Sequence, residues 1–188
     1  MNVQDDLIQR FHAALPEVVQ WIDALLDEHR GRARAVSTLG CKRLPACFPP
    51  EILERARAVT VPRVPFPPID RFGLPELAPV QQMSFAGITF KDTFFLLEDQ
   101  ASERLYFHEL VHVVQWARLG VRNFLLAYGI GLIQFGYNQS PLEQLAYTLE
   151  RRFEDGSPPK DLVRFIETRT DDVWAEVAPI IQAGDRSA

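Results

Sequence analysis

Thiols are scarce in this chain of 188 residues: Cys41 and Cys47, on either side of Pro45, are the only two. A disulfide-stapled framework is excluded, and one disulfide is the most that could form. No further cysteine and no nearby histidine completes a thiolate zinc site, so free, buried thiols are expected. Positive charge is not in excess. There are 20 basic against 25 acidic residues, for a net charge of −5. The small run Arg30, Arg32 and Arg34 reads as a solvated helix end, so no nucleic-acid partner is expected. Long apolar runs are missing too. The longest, residues 124–137, falls short of the ~20 residues that span a bilayer, so no membrane partner is expected. Residues 1–6 are acidic and lack the basic start and apolar core of a secretory leader, which leads to the expectation of a cytoplasmic protein. No internal repeat is evident. Oligomeric state is not encoded in any readable way.

Histidine is also rare, with four in the chain (His12, His29, His108, His112). Two of them fall in His108-Glu109-Leu110-Val111-His112, an HExxH pattern inside an apolar, helix-forming run. Residues four apart on a helix lie one above the other, so both imidazoles can reach one metal ion. Glu109, one step round, is placed to hydrogen-bond a water there. Neutral imidazole suits Zn2+, and a zinc site with an open position makes a nucleophile from water near neutral pH.

A third ligand is needed. No histidine follows His112; Gln115, Arg118 and Leu119 stand where a three-histidine pattern would continue. A carboxylate on a later helix is the remaining route, and Glu143 is the best placed. Ser140 has the chemistry of an N-cap and Pro141 suits the first helical position. The same Ser140-x-x-Glu143 spacing is a capping box, in which the glutamate would bond the cap's own amide. Ligand and cap both stand on local sequence. Glu150, seven residues on, is the reserve ligand. Tyr137 and Tyr147 are candidates for a donor to a developing oxyanion, and either could equally be a satisfied core residue. Gln115 is placed to orient a neighbouring group or to tie down a loop.

The helix HELVHVVQW, with Gly120, Phe124-Leu125, Tyr128, Gly131-Leu132, Gly136-Tyr137 and Pro141-Leu142-Glu143-x-x-Ala146-Tyr147, resembles small bacterial zinc metallopeptidase domains of gluzincin type. The likeness covers residues 87–153. It implies His108, His112 and Glu143 as zinc ligands and Glu109 as base. It implies a zinc-dependent metallopeptidase that hydrolyses peptide bonds with a Glu-activated, zinc-bound water, acting on a peptide or protein substrate. The alternative is a catalytically idle zincin-like domain that binds a peptide or partner. A helical adaptor without metal would require the motif to be chance.

The expected fold class is α+β: a minimal zincin-like domain, mostly helical, with a small antiparallel sheet before the HExxH helix. Residues 1–58 read as an N-terminal helical segment and 59–188 as the zincin-like core, together one compact domain. Apolar residues recur at helical spacing over 3–28, with Pro16 inside. Residues 31–40 read as a connector and 49–58 as a short helix. A strand is expected over 59–64, followed by a proline-dense extended wrap to residue 79. Residues 87–97 alternate as two strands around a Lys91-Asp92 turn. A peptide substrate could add to such a sheet edge as a further strand. Helices are expected over 103–119 (ending at Gly120), 123–135, 141–153 and 160–182, the last packed through Phe165, Ile166, Val173 and Trp174. Fraying is expected over 183–188.

Overall fold

A computed structural model describes residues 3–185. The fold is α+β, with long helices around a small mixed sheet. Helix α1 (Val3–His29) presents Phe11, Ala14 and Ile22 to the interior and lies against the two longest later helices. The sheet contains β1 (Arg34–Ala35), β2 (Arg57–Val61), β3 (Gly87–Phe90) and β4 (Thr93–Leu97), in the order β1-β2-β4-β3.

The β3–β4 hairpin is antiparallel, as expected, with Gly87 opposite Leu96 and Phe90 opposite Thr93. The remainder of the sheet is not purely antiparallel: β2 runs parallel to β4, and β1 is antiparallel to β2. Parallel neighbours need a long crossover. Here residues 62–86 supply it, and they are not wholly extended. Short helical turns form at Ile69–Phe72 and Pro75–Leu77, followed by α3 (Ala78–Gln81). Pro75 and Pro79 sit in first turns, where a missing N–H costs little.

Other local expectations shift for tertiary reasons. Helix α2 (Pro50–Arg55) stops before residue 58 because Arg57 and Ala58 pair with Thr93 and Phe94. That pairing also starts β2 two residues early, so a boundary at 58 runs through the strand. Arg34 and Ala35, expected in a connector, become β1 by pairing across to Ala58 and Arg57.

Helix α4 (Glu103–Phe135) carries the HExxH residues. Ser102 caps it, its side chain accepting from the Leu105 amide. The helix breaks at Gly120, whose φ of 71° and ψ of 168° favour glycine. The second arm therefore turns back toward the first, and both lie against α5 (Pro141–Glu154) and α6 (Leu162–Asp185). Gly131 lets that arm approach the start of α5, because a Cβ there would come within 2.8 Å of Ser140 Oγ. In α6, Ile166 is fully buried and Val173 and Trp174 rest on the core, while Phe165 is exposed. The helix continues to Asp185, and the fraying expected over residues 186–188 lies outside the described residues.

Two apolar clusters meet at the HExxH arm. Leu110, Val111, Val113 and Val114 enter one, and Trp116 enters the other. The motif helix is thus held on several sides, with Phe107 stacked on Phe153 at 4.4 Å between ring centroids. No helix among the described residues is long and apolar enough to cross a membrane.

Candidate metal centre

The HExxH arm and the first turn of α5 bring His108, His112 and Glu143 together, all buried. The two histidine Nε2 atoms lie 3.2 Å apart. Glu143 straddles them, with Oε2 3.4 Å from His108 Nε2 and Oε1 3.4 Å from His112 Nε2. Zinc–nitrogen and zinc–oxygen bonds of about 2.0–2.1 Å at tetrahedral angles put ligand atoms about 3.3–3.4 Å apart. The two Nε2 atoms are close to that spacing, and each carboxylate oxygen stands at it from one of the two rings.

The far side of each imidazole is anchored. His112 Nδ1 donates to Gln115 Oε1 at 2.8 Å, because an amide oxygen can only accept. His108 Nδ1 donates to Glu150 Oε2, also at 2.8 Å. Both Nε2 lone pairs then point at the same place in the neutral rings, an arrangement that needs a cation or a proton between them. Glu143 Oε2 has no hydrogen-bond partner among the described residues. An orphaned buried carboxylate oxygen facing the His108 nitrogen, with its twin oxygen facing that of His112, suits a divalent ion.

Electrostatics follow the same contacts. Burial opposes charge on His108, but Glu143 and Glu150 overcome it and hold its proton up to about 10. Burial would raise Glu143, yet the neighbouring His112 and His108 keep its carboxyl well below the ordinary range. Glu109 moves the other way: burial raises it, against the pull of His108, His112 and a Thr89 hydroxyl that donates to Oε2 at 2.6 Å.

The capping reading of Glu143 fails on geometry. Ser140 precedes α5, but its side chain makes no cap bond and its Oγ is unpartnered among the described residues. Glu143 turns inward instead, accepting from Tyr128 at 2.6 Å. Glu150 is not a ligand in reserve; it backs His108, with its other oxygen taken by Arg104 Nε at 2.5 Å. Gln115 orients His112, and its Nε2 donates not to a loop but to the Leu142 carbonyl in the first turn of α5, at 3.1 Å. That bond ties the motif helix to the residue next to Glu143.

Tyr137 and Tyr147 both reach the site. The Tyr147 ring lies 4.6 Å from that of His108. Burial raises both tyrosine hydroxyl pKa values. Tyr128 is the member that sequence reasoning leaves without a role. Nothing local marks it, since it depends on the return of the second α4 arm at Gly120. Thr89 on β3 likewise carries no local signal of a role. Its strand places it behind Glu109, and Gly87 on the same strand approaches the Glu109 carboxylate so closely that a Cβ would come within 2.4 Å of Oε1. Cys41 and Cys47 are free and half-buried rather than buried.

Comparison with protein-family models, curated proteins and solved structures finds no match to this chain.

Proposed function

We propose that this chain is a zinc-dependent metallopeptidase. The observation that carries the reading is the convergence of two Nε2 atoms and one carboxylate at 3.2–3.4 Å from one another, with Glu109 beside them. His108, His112 and Glu143 would hold the ion. Bound there, Zn2+ supplies a Lewis acid for a carbonyl oxygen and lowers the pKa of water. Glu109 takes a proton from the attacking water and passes it to the leaving amine. Its raised pKa suits that exchange, and the Thr89 bond aims the carboxylate. Tyr137 and Tyr147 stand ready to donate to a developing oxyanion. Strand β3 is a sheet edge beside Glu109, where an extended peptide can add by main-chain pairing short of Thr89, whose carbonyl accepts from the Trp116 indole at 3.2 Å. The free thiols support a reducing, cytoplasmic setting.

One observation favours the second reading, an idle zincin-like domain that holds a peptide or partner. The four central side chains are only 2–5% exposed, which limits access. A purely structural ion, however, has no use for Glu109. Peptide-library cleavage by metal-loaded protein separates the two. Wild type should cut, while Glu109→Gln should keep the metal and lose at least about 100-fold in rate, the lower end of what general base catalysis contributes. Equal rates for the two proteins, or none above background for wild type, would end the peptidase reading.

A further inference from the structure

Two spaces of opposite character meet at Glu109. One is an apolar cavity of about 110 Å³, walled by Ala14, Leu15 and Val18 of α1 and by Leu74, Phe124 and Leu125. The other is a polar groove of about 330 Å³ that runs past Gly87, Gln100, Arg104, Tyr147 and Glu150. His108, Glu109, Phe85, Gly87 and Tyr137 line both. A chain lying in the groove along β3 would therefore have the cavity open to one side at the point where Glu109 stands.

We propose that the cavity receives one aliphatic side chain of leucine size from a peptide, next to the bond presented to Glu109. This deepens the peptidase reading and rests on it for the word substrate. Three observations carry it. Apart from His108, His112, Glu143 and Glu109, which also line the cavity, the polar side chains Thr89, Tyr128 and Trp116 on its wall are committed elsewhere: Thr89 to Glu109, Tyr128 to Glu143 and the Trp116 indole to the Thr89 carbonyl. With zinc held by the histidines and Glu143, and with Glu109 replaced by glutamine as in the test below, a charged side chain entering would find no uncommitted ion partner there and would lose its hydration. Size sets the upper limit, because an engineered apolar cavity of ~150 Å³ holds benzene, so the smaller space here takes an isobutyl group and excludes an indole. The groove supplies the complement, with polar side chains and a strand edge for the main chain. Helix α1, far from the motif in sequence, thereby becomes the wall that sets specificity, with Ala14 as its smallest side chain.

The test is binding, read apart from hydrolysis. Metal-loaded Glu109→Gln protein is titrated calorimetrically with acetylated, amidated pentapeptides, four glycines around one central residue. Leucine should bind roughly 10- to 100-fold more tightly than glycine at the centre, the gain from burying one such side chain. Lysine and tryptophan should gain nothing over glycine. Adding Ala14→Leu should fill the cavity and abolish the leucine preference with the metal content unchanged. Adding Leu15→Ala should enlarge it and admit tryptophan, which guards against a poorly folded filling variant. Equal binding of the leucine and glycine peptides, or a leucine preference that survives Ala14→Leu in folded protein, overturns the assignment. Leucine-selective binding by a wild type that never hydrolyses would instead sink the peptidase reading and leave the cavity assignment standing.

Discussion

Glu150→Gln isolates the support behind His108 without touching the three clustered side chains themselves. Glu150 Oε2 accepts from His108 Nδ1 at 2.8 Å, and both groups are buried. The substitution keeps shape and an accepting oxygen but removes the charge. Charge-assisted bonds contribute about 1.5–3 kcal/mol against about 0.5–1.5 for neutral ones. The difference, about 1–2 kcal/mol, is roughly 5- to 30-fold in metal affinity. That overlaps the ~10- to 100-fold typical of partners that orient a metal-binding histidine. Arg104, which shares Glu150 and is 58% exposed, draws off little of this because solvent screens it. Competition against a chromophoric chelator at fixed neutral pH measures the change. Glu154→Gln is the control: Glu154 lies 3.7 Å from Arg104, is half exposed and should leave affinity unaltered. If Glu150→Gln binds zinc within twofold of wild type while folded, the anchoring role assigned to Glu150 is wrong.

Thr89→Val removes the bond that holds Glu109 down; burial already raises that carboxyl, so the acidic limb of kcat/KM against pH should move to higher pH, and an unmoved limb would argue that Glu109 is not the base. Gly129→Ala would bring a Cβ within 2.4 Å of the Phe11 ring; overpacking of about 1–3 kcal/mol should lower Tm by about 2–10 °C in calorimetry, and an unchanged Tm would contradict the close approach of α1 to α4. Against burial, two carboxylates hold the His108 proton up to about 10, from an ordinary 6.5. Zinc must displace that proton, so affinity should fall about tenfold per pH unit as pH drops below that value. Titrations in buffers of different ionisation enthalpy should show about one proton released at neutral pH, and zero release would refute the pairing. The metal-free fold has the opposite sign: a raised pKa adds stability that is complete below about 6.5 and lost as pH rises through about 10.

Much of the site was legible because it is local. HExxH spacing on a helix fixes two imidazoles, and Pro141 with the turn at residues 136–139 fixes where α5 begins and so where Glu143 falls. The choice between ligand and cap was not local. A capping box and an inward carboxylate share one sequence, and only the position of the HExxH arm decides between them. Tyr128 and Thr89 were hidden for the same reason, as each reaches the site through a tertiary turn or strand placement. The hairpin β3–β4 was readable from alternation, whereas β1 and the early start of β2 were not. Arg34, Ala35, Arg57 and Ala58 have no strong strand preference and become strand by pairing with each other and, for β2, with β4. Glu150 is legible in the sequence as a second carboxylate on the same helix face. Its role turned on which side of the His108 ring it meets, and spacing along a helix does not specify that.

The most direct trial of the coordination claim is an anomalous-scattering crystal structure of the protein grown with one equivalent of zinc, recorded at the zinc absorption edge. A single peak should sit about 2.0–2.2 Å from His108 Nε2, His112 Nε2 and a Glu143 oxygen. A peak elsewhere, or none with Glu143 still bridging the two imidazoles, would contradict it.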